Sequence, residues 1–465
     1  MSTGDPSNGT RRRLTGWGGT APSVATVVHP ATRGDARAAF EAAGPRGLIA
    51  RGLGRAYGDA AQNGGGMVLA TAGLNGTALT AIGPIDGPRA TITVGGGASL
   101  EAIQRAVLRT GWSLPVLPGT RHVTIGGAIA SDVHGKNHHV DGSFGAHVEA
   151  FTLQPPAGDP IVVTRASDAA LFEATTGGMG LTGVVLAATL RLMKVETRLM
   201  RVHNQRTADL DATMRALVEA DATHRYSVAW LDLASTRARG RGIVTAADHA
   251  RAAEAPAVGL LDEPSLWRAT VPPVVPMNLV RRAGVSLFNA AWFRRPLPSE
   301  ALAPIESYMA PLDALGAWNR LYGPRGLVQY QCALPAGEEA VLRAIVEAIT
   351  HAPAVPALSV LKRFGPGNGA PLSFPIEGWT LAVDFPAGDP ALGASLDTLD
   401  EHVAAAGGRV YFAKDARMRA EMVPLMYPRI DEWRATQARI DPAGVLTSDL
   451  DRRLHLTAAS TRSAR

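Results

Sequence analysis

Arg51-Gly-Leu-Gly-Arg-Ala-Tyr-Gly-Asp59, followed closely by Gln62-Asn-Gly-Gly-Gly66, is the stretch on which the reading of this chain turns. Gly52, Gly54 and Gly58 space as G-x-G-x-x-x-G, not as the G-x-G-x-x-G that opens a helix in a dinucleotide fold. Gln-Asn-Gly-Gly-Gly cannot continue a helix either. The segment suits another geometry, in which successive backbone N–H groups form a concave nest for phosphate oxygens. Small residues let the main chain approach such a ligand closely. A second block runs Pro118-Gly-Thr-Arg-His-Val-Thr-Ile-Gly-Gly-Ala-Ile-Ala-Ser-Asp-Val-His-Gly-Lys136, and a third glycine turn spans Gly177 to Gly183. One glycine cluster is explained as well by a turn. Three in this order are better explained by a shared ligand. No phosphate-binding P-loop and no G-x-S-x-G elbow is present.

Around these blocks, residues 35–195 alternate helix-like and strand-like stretches. Asp35–Ala43 reads as a helix, Leu48-Ile-Ala50 as a short buried strand, and Ala90-Thr-Ile-Thr-Val94 as a strand. Ser99 is a helix N-cap, with Glu101 in the first turn and Gly111 past the end. Ile161-Val-Val163 and the residues after Gly183 are further strands. Beyond Thr197 the strands Tyr226–Leu233, Val328–Ala333 and Thr380–Phe385 carry aromatics and alternate in polarity. Helices Glu338–Thr350 and Ala394–Ala406 lie between them. This predicts an α+β protein of two domains, the second an antiparallel sheet covered by helices on one face. The expected divisions are a disordered 1–13, a first domain 14–196, a substrate domain 197–410, a segment 411–456 returning to the first domain, and a disordered tail 457–465.

At 465 residues, with 46% hydrophobic and 19% charged residues, the composition is that of a globular protein. The formal charge of +5 comes with no block of five basic residues, so no nucleic-acid partner is expected. Cys332 is the single cysteine, which excludes an intramolecular disulfide. Arg11-Arg12-Arg13 has no apolar stretch behind it, so the sequence by itself reads as soluble and unexported. Of 46 Lys plus Arg residues only Lys136, Lys194, Lys362 and Lys414 are lysines. In an arginine-using chain, a lysine inside a motif marks a place where an ammonium is wanted.

His134, His138 and His139 invite a metal reading, but Gly135 and Asn137 argue against one helix face carrying them, and no metal is expected. Residues Trp267–Pro298 mix paired arginines, prolines and aromatics. They read either as a long surface loop or as a mobile lid or membrane-surface contact.

The two glycine blocks together resemble the pyrophosphate-clasping segments of the vanillyl-alcohol-oxidase (PCMH) type of FAD enzyme. Over residues 14–456 the chain resembles the flavoprotein subunit of the decaprenylphosphoryl-β-D-ribose 2′-epimerase family, found in actinobacterial arabinan biosynthesis. The likeness is carried by Leu14-Thr-Gly-Trp-Gly18, the two blocks, Tyr226–Asp232, Trp318-Asn-Arg320, Gln329-Tyr-Gln331, Lys362–Phe374, Val383-Asp-Phe-Pro386, Tyr411–Asp415 and Met426-Tyr-Pro-Arg429. It implies FAD contacts from Arg51, Gly52, Leu53, Gly54, Arg55, Ala56, Tyr57, Gly58 and Asp59. It implies more from Gly119, Thr120, Thr124, Ile125, Gly126, Gly127, Ser131, Asp132 and His134, and from Gly180 and Tyr411. Lys414, His134, Gln331 and Tyr57 are the implied catalytic set. Lys414 serves either to stabilise negative charge or, with a depressed pKa, as a base. On the substrate side stand Lys136 and Lys362 for a lipid-linked phosphate, Phe364, Trp230 and Tyr308 as pocket wall, and Gln329 and Ala382.

The implied reaction oxidises the ribose C2′ hydroxyl of a polyprenyl-phosphate-linked ribose to a ketone, which a separate NADH-dependent keto-reductase then reduces. A cell-envelope, membrane-associated location with peripheral membrane contact follows from the same resemblance. There are two departures. Relatives that tether FAD use a histidine near Ala56, so FAD here is expected to be non-covalent. Mycobacterial members carry a cysteine where this chain has Ala382. The rival enzyme reading is an alditol or aldonolactone oxidase acting on a soluble polyol. The rival from another class is a catalytically dead flavoprotein scaffold, against which Lys414 and Gln331 argue.

Overall fold

Local signals start the first half of the fold. Thr32 and Asp35 form a capping box at the head of helix Arg33–Glu41. Ser99 accepts from the Ala102 N–H and starts helix Leu100–Leu108. In the computed structural model, which describes residues 9–72, 82–86, 90–238, 240–256, 260–261, 269–275 and 277–463, these helices flank two sheets. A four-stranded sheet runs in the order Thr10–Leu14, Ser23–Val28, Met67–Ala70, Leu48–Arg51, its last three strands parallel. A five-stranded antiparallel sheet runs Ile82–Asp86, Thr91–Gly95, Val184–Arg191, Val148–Gln154, Ile161–Thr164. The first glycine block leaves the end of strand Leu48–Arg51. The second leads into helix Ile125–Ala130, capped by Thr124.

The second half is one antiparallel sheet of eight strands. Their order is Glu300–Pro304, Leu199–Thr207, Gly242–His249, Tyr226–Leu231, Leu358–Phe364, Gly378–Pro386, Leu327–Pro335, Arg409–Val410. Its central strands alternate strictly, so each sends alternate side chains to opposite faces. Tyr330, Cys332, Leu361, Leu381, Val383 and Phe385 point into a core shared with helices Leu210–Asp221, Glu339–Thr350 and Pro390–Ala405. The opposite face carries the polar row described below. Cys332, the lone thiol, is therefore buried on the helix side.

After Val410 the chain returns to the first half. The Leu48 N–H donates to the Val445 carbonyl, and Thr447 donates back to Leu48. Asp449 accepts from the Gly64 N–H and from Ser23. Arg453 donates its Nε and one outer nitrogen to Asp59 and the other outer nitrogen to the Met418 carbonyl, and that second nitrogen forms an ion pair with Asp415 at 2.8 Å. Asp415 is almost fully buried, so loss of its partner strands a charge. Arg453→Met is expected to cost about 3 kcal/mol of unfolding free energy in urea titrations. A loss under about 1 kcal/mol would show the pair to be dispensable.

Both ends differ from expectation. Residues Thr10–Leu14 are not a free tail but an edge strand paired with Ser23–Val28. Its three arginines are exposed, which makes an edge strand look like a solvated segment in sequence. At the other end, Ala458–Ser463 is helical. Thr457 and Ser460 are buried there, with their hydroxyls bonded to the Asp451 carboxylate.

Candidate active site

Between the two halves lies a cleft lined by both glycine blocks at one end and by the eight-stranded sheet at the other. The blocks touch. A Cβ on Gly52 would stand 2.2 Å from the Thr124 Oγ1, so only glycine lets the two loops meet. Gly54 adopts φ +65° and turns the first block back on itself. Among the described residues, no protein acceptor meets the backbone N–H groups of Leu53, Gly54, Arg55 and Ala56. Backbone N–H groups without protein partners, on a loop that lines the cleft, are the donor set a pyrophosphate needs. Gly119, Gly126, Gly127, Ser131 and Gly180 continue this wall, as do Thr120 and Thr124.

The sheet builds the other wall through its register. Gln331, Ala382, Val360 and Trp230 stand side by side across four strands and so share one face. Gln329, Asp384 and Leu358 form the next row, and Ala333, Thr380 and Lys362 the row on the other side. Gln329, Gln331, Leu358, Val360, Lys362 and Ala382 line the cleft.

Lys414 enters from the loop after Val410. The Tyr57 N–H donates to the Ala413 carbonyl, locking this loop to the first glycine block. A Cβ on Gly58 would collide with the Asp415 carbonyl at 1.9 Å, so the two segments are in direct backbone contact. The Lys414 ammonium lies 3.9 Å from the centre of the Tyr57 ring. Gln329 donates to Asp384 and, at 3.3 Å, to the Tyr57 hydroxyl. Burial brings the Lys414 pKa down to about 8, against the field of the Asp384 carboxylate. Burial lifts Asp384 to about 7, against the Gln329 bond and the Lys414 charge.

The Asp384 carboxylate raises the Lys414 pKa. Asp384→Asn is therefore expected to move the Lys414 limb of the kcat pH profile to lower pH. A limb that does not move would remove Asp384 from this role.

His134 sits at the junction of the two walls. Its ring meets Phe364 edge-on at 4.7 Å and lies near Phe374 and Tyr411. The Lys362 ammonium is 3.2 Å from Nδ1, and the Gln331 amide is 3.0 Å from Nε2. Burial and then the positive Lys362 hold its pKa well below the ordinary value, so the ring is neutral. A neutral imidazole has one N–H. The Lys362 ammonium faces Nδ1 and the Gln331 amide nitrogen faces Nε2, so the ring stands between two donors and accepts from whichever nitrogen lacks the hydrogen. Tyr411 fixes this corner by donating to the Ser131 carbonyl at 2.7 Å.

Several expected site residues lie outside the cleft. Arg51 bonds the Ala61 and Thr15 carbonyls and braces the first block. Asp59 pairs with Arg453. Ile125 is fully buried core. Asp132 accepts from Ser143, Gly145, Asn368 and Ser373, knotting the second block to residues 368–373. The Lys136 ammonium is spent on the Tyr308 and Met309 carbonyls and lies over the Tyr308 ring. Lys136 and Tyr308 thus form a buried support and do not reach the cleft, because the chain turns away after Gly135. Phe364 stands behind His134 as packing, and Trp230 flanks Val360 one strand beyond the lining. His138 begins a single helical turn, His138–Asp141, where the glycine and asparagine argued for none. Its ring packs on Phe364.

Asp384, Trp17 and Trp318 lie in segments that carry the resemblance, but the sequence reading gave them no place in the site. An acid among the apolar residues Leu381-Ala-Val-Asp-Phe385 was the available signal for the first.

A loop pair made for a pyrophosphate, facing a polar row with an ammonium and a neutral imidazole, defines a flavin-dependent oxidoreductase, and the comparisons with known proteins agree. The FAD binding domain family matches residues 24–164. The chain is 41% identical to the decaprenylphosphoryl-β-D-ribose oxidase of Mycolicibacterium smegmatis, over 96% of its own length and 98% of that protein. It is 42% identical over 77% of its length to an uncharacterized Streptomyces coelicolor protein from the mprA 5′ region, covered in full. A Streptomyces alditol oxidase shares 28% identity over 38% of the chain and 41% of its own. The chain belongs to the decaprenylphosphoryl-β-D-ribose oxidase family and is an FAD-dependent enzyme.

Proposed function

We propose that this enzyme oxidises the C2′ hydroxyl of decaprenylphosphoryl-β-D-ribose to the 2′-ketone, which an NADH-dependent keto-reductase then reduces with inversion to the arabinose donor for cell-wall arabinan. The observation that supports it most is the meeting of Gln331 and Lys362, from one sheet face, with Lys414 and His134, from the two loops against it, at the end of the cofactor cleft. FAD, when bound, supplies the two-electron acceptor for the hydride leaving C2′. Lys414 stabilises the negative charge that grows on the sugar oxygen as its proton leaves. Gln331 orients the sugar, and Lys362 offers the ammonium that reaches toward the phosphate side. With Lys136 bonded to carbonyls, Lys362 takes the phosphate role alone. If Lys414 works as an ammonium, turnover falls as pH rises through about 8. A rise over the same interval would make it the base.

We also propose that FAD is held without a covalent bond, since Ala56 and its neighbours Arg55 and Tyr57 offer no imidazole. Acid precipitation should leave all flavin colour in the supernatant; colour in the pellet would reverse this. Among the described residues no helix is long and apolar enough to cross a membrane. A peripheral place at the cell envelope is proposed from the lipid-linked substrate.

The test of the substrate is an anaerobic spectrum in detergent, before and after adding polyprenyl-phosphoryl ribose, with xylitol as control. Bleaching of the flavin band by the lipid-linked ribose alone is the expected result. Bleaching by xylitol would move the protein to the alditol oxidases.

A further inference from the structure

Helix Arg282–Arg294 is built inside out. Its inward side holds polar groups: Asn289 is buried and donates to Asp232, and Ser286 and Arg282 bond the Ala234 carbonyl. Its outward side is apolar. Leu287 is 74% exposed and Phe288 61%, and Phe288 stacks at 15° on Trp292, also exposed. Positions 284, 287, 288, 291 and 292 recur at helical spacing, so they form one stripe. The segment leading into the helix adds exposed Val274, Met277 and Leu279. Within the stretch 267–298, read in sequence as a surface loop or a lid or membrane contact, Arg282–Arg294 is a helix; Trp267, Arg268 and Pro276 lie outside the described residues.

Charge selects the occupant of this face. From Val271 to Ser299 the chain has four arginines, Arg281, Arg282, Arg294 and Arg295, and no acidic residue. They bracket the helix at its two ends, and Arg295 lies 3.4 Å over the Trp292 ring. A second copy packed here about a twofold axis would set these arginines against their equivalents, which like-charge repulsion disfavours. An anionic lipid surface takes both features at once. The apolar stripe enters the acyl boundary, tryptophan and arginine sit at headgroup level, and the positive ends meet lipid phosphate.

Position points the same way. The Leu279 N–H donates to the Leu321 carbonyl, and Val280 packs on the cluster of Trp17, Tyr57, Trp318 and Tyr322. Trp17, Tyr57 and Trp318 line the cleft. The helix is therefore joined directly to the cleft wall.

We propose that helix Arg282–Arg294, with the exposed Val274, Met277 and Leu279 before it, docks the enzyme on an anionic bilayer surface beside the cleft. The purpose of this contact rests on the lipid-linked substrate proposed above, but its test uses vesicles free of substrate. The FAD-loaded full chain is floated with phosphatidylglycerol–phosphatidylcholine vesicles and with phosphatidylcholine alone. Binding to the anionic vesicles, weakened by salt, is expected. L287S/F288S/W292S should lower that binding at least roughly tenfold, with flavin content and unfolding temperature unchanged. Absence of wild-type binding, or binding the triple variant retains, would overturn the proposal. So would a concentration-dependent dimer that the variant abolishes, since it assigns the face to a second copy. Failure of lipid-linked ribose to bleach the flavin in detergent would overturn the substrate reading and leave the vesicle result standing.

Discussion

Lys414→Met is expected to lower kcat/KM about a thousandfold while FAD stays bound, a loss of about 4 kcal/mol of transition-state stabilisation. The methionine keeps the length and apolar stem of the side chain and removes only the charge. The loop itself is held by backbone, through the Tyr57 N–H on the Ala413 carbonyl, so the cofactor wall survives the change. What disappears is the ammonium over the Tyr57 ring and its field on Asp384. Without that cation the Asp384 pKa rises further, and the carboxyl stays protonated over a wider range. Stopped-flow reduction of the flavin checks the rate, and the absorbance spectrum checks occupancy. A drop of less than about tenfold would place the chemistry on another group.

Gly52→Val should give a protein that loses FAD on purification, with affinity weakened about a hundredfold. The cause is space. The new Cβ would lie 2.2 Å from the Thr124 Oγ1 and close to two more atoms of that side chain. Thr124 also caps helix Ile125–Ala130 by accepting from the Gly127 N–H. Either the blocks part or the cap is lost, and overpacking of this kind costs up to about 3 kcal/mol. Gly119→Val is the informative contrast. A Cβ there meets no protein atom within 4 Å and faces the cleft. It should weaken FAD binding while leaving the unfolding temperature of the apoprotein unchanged, whereas Gly52→Val lowers both. Full FAD retention by Gly52→Val would show that the blocks need not touch.

The parts of this site legible in sequence are those with a local cause. Close backbone approach demands glycine, so Gly52, Gly54, Gly58 and the Thr124–Gly127 turn announced themselves. Caps at Ser99 and alternation along Gln329–Gln331 did the same. Residues whose place depends on long-range register were not legible. Asp384 belongs to the polar face because Gln329 and Leu358 are its cross-strand neighbours, and no local pattern fixes that pairing. Lys136 shared a motif with His134, yet one turn of chain sends its ammonium to carbonyls at residues 308 and 309. The stripe on helix Arg282–Arg294 has ordinary amphipathic spacing. The bonds of Asn289 to Asp232 and of Ser286 to the Ala234 carbonyl tell which side faces in.

The chain closes on its own beginning: residues 445–453 bond Leu48 and Asp59 at the edge of the first glycine block. Synthesis proceeds from the other end, so the strand Leu48–Arg51 and the loop after it are finished long before their partners exist. Lys414 and the backbone that holds it also arrive late. Until residues 411–453 are made, the strand Leu48–Arg51 and the loop after it therefore lack the partners that complete them. A chain cut before Val445 is expected to leave the Leu48–Arg51 strand without this partner and to hold FAD less tightly.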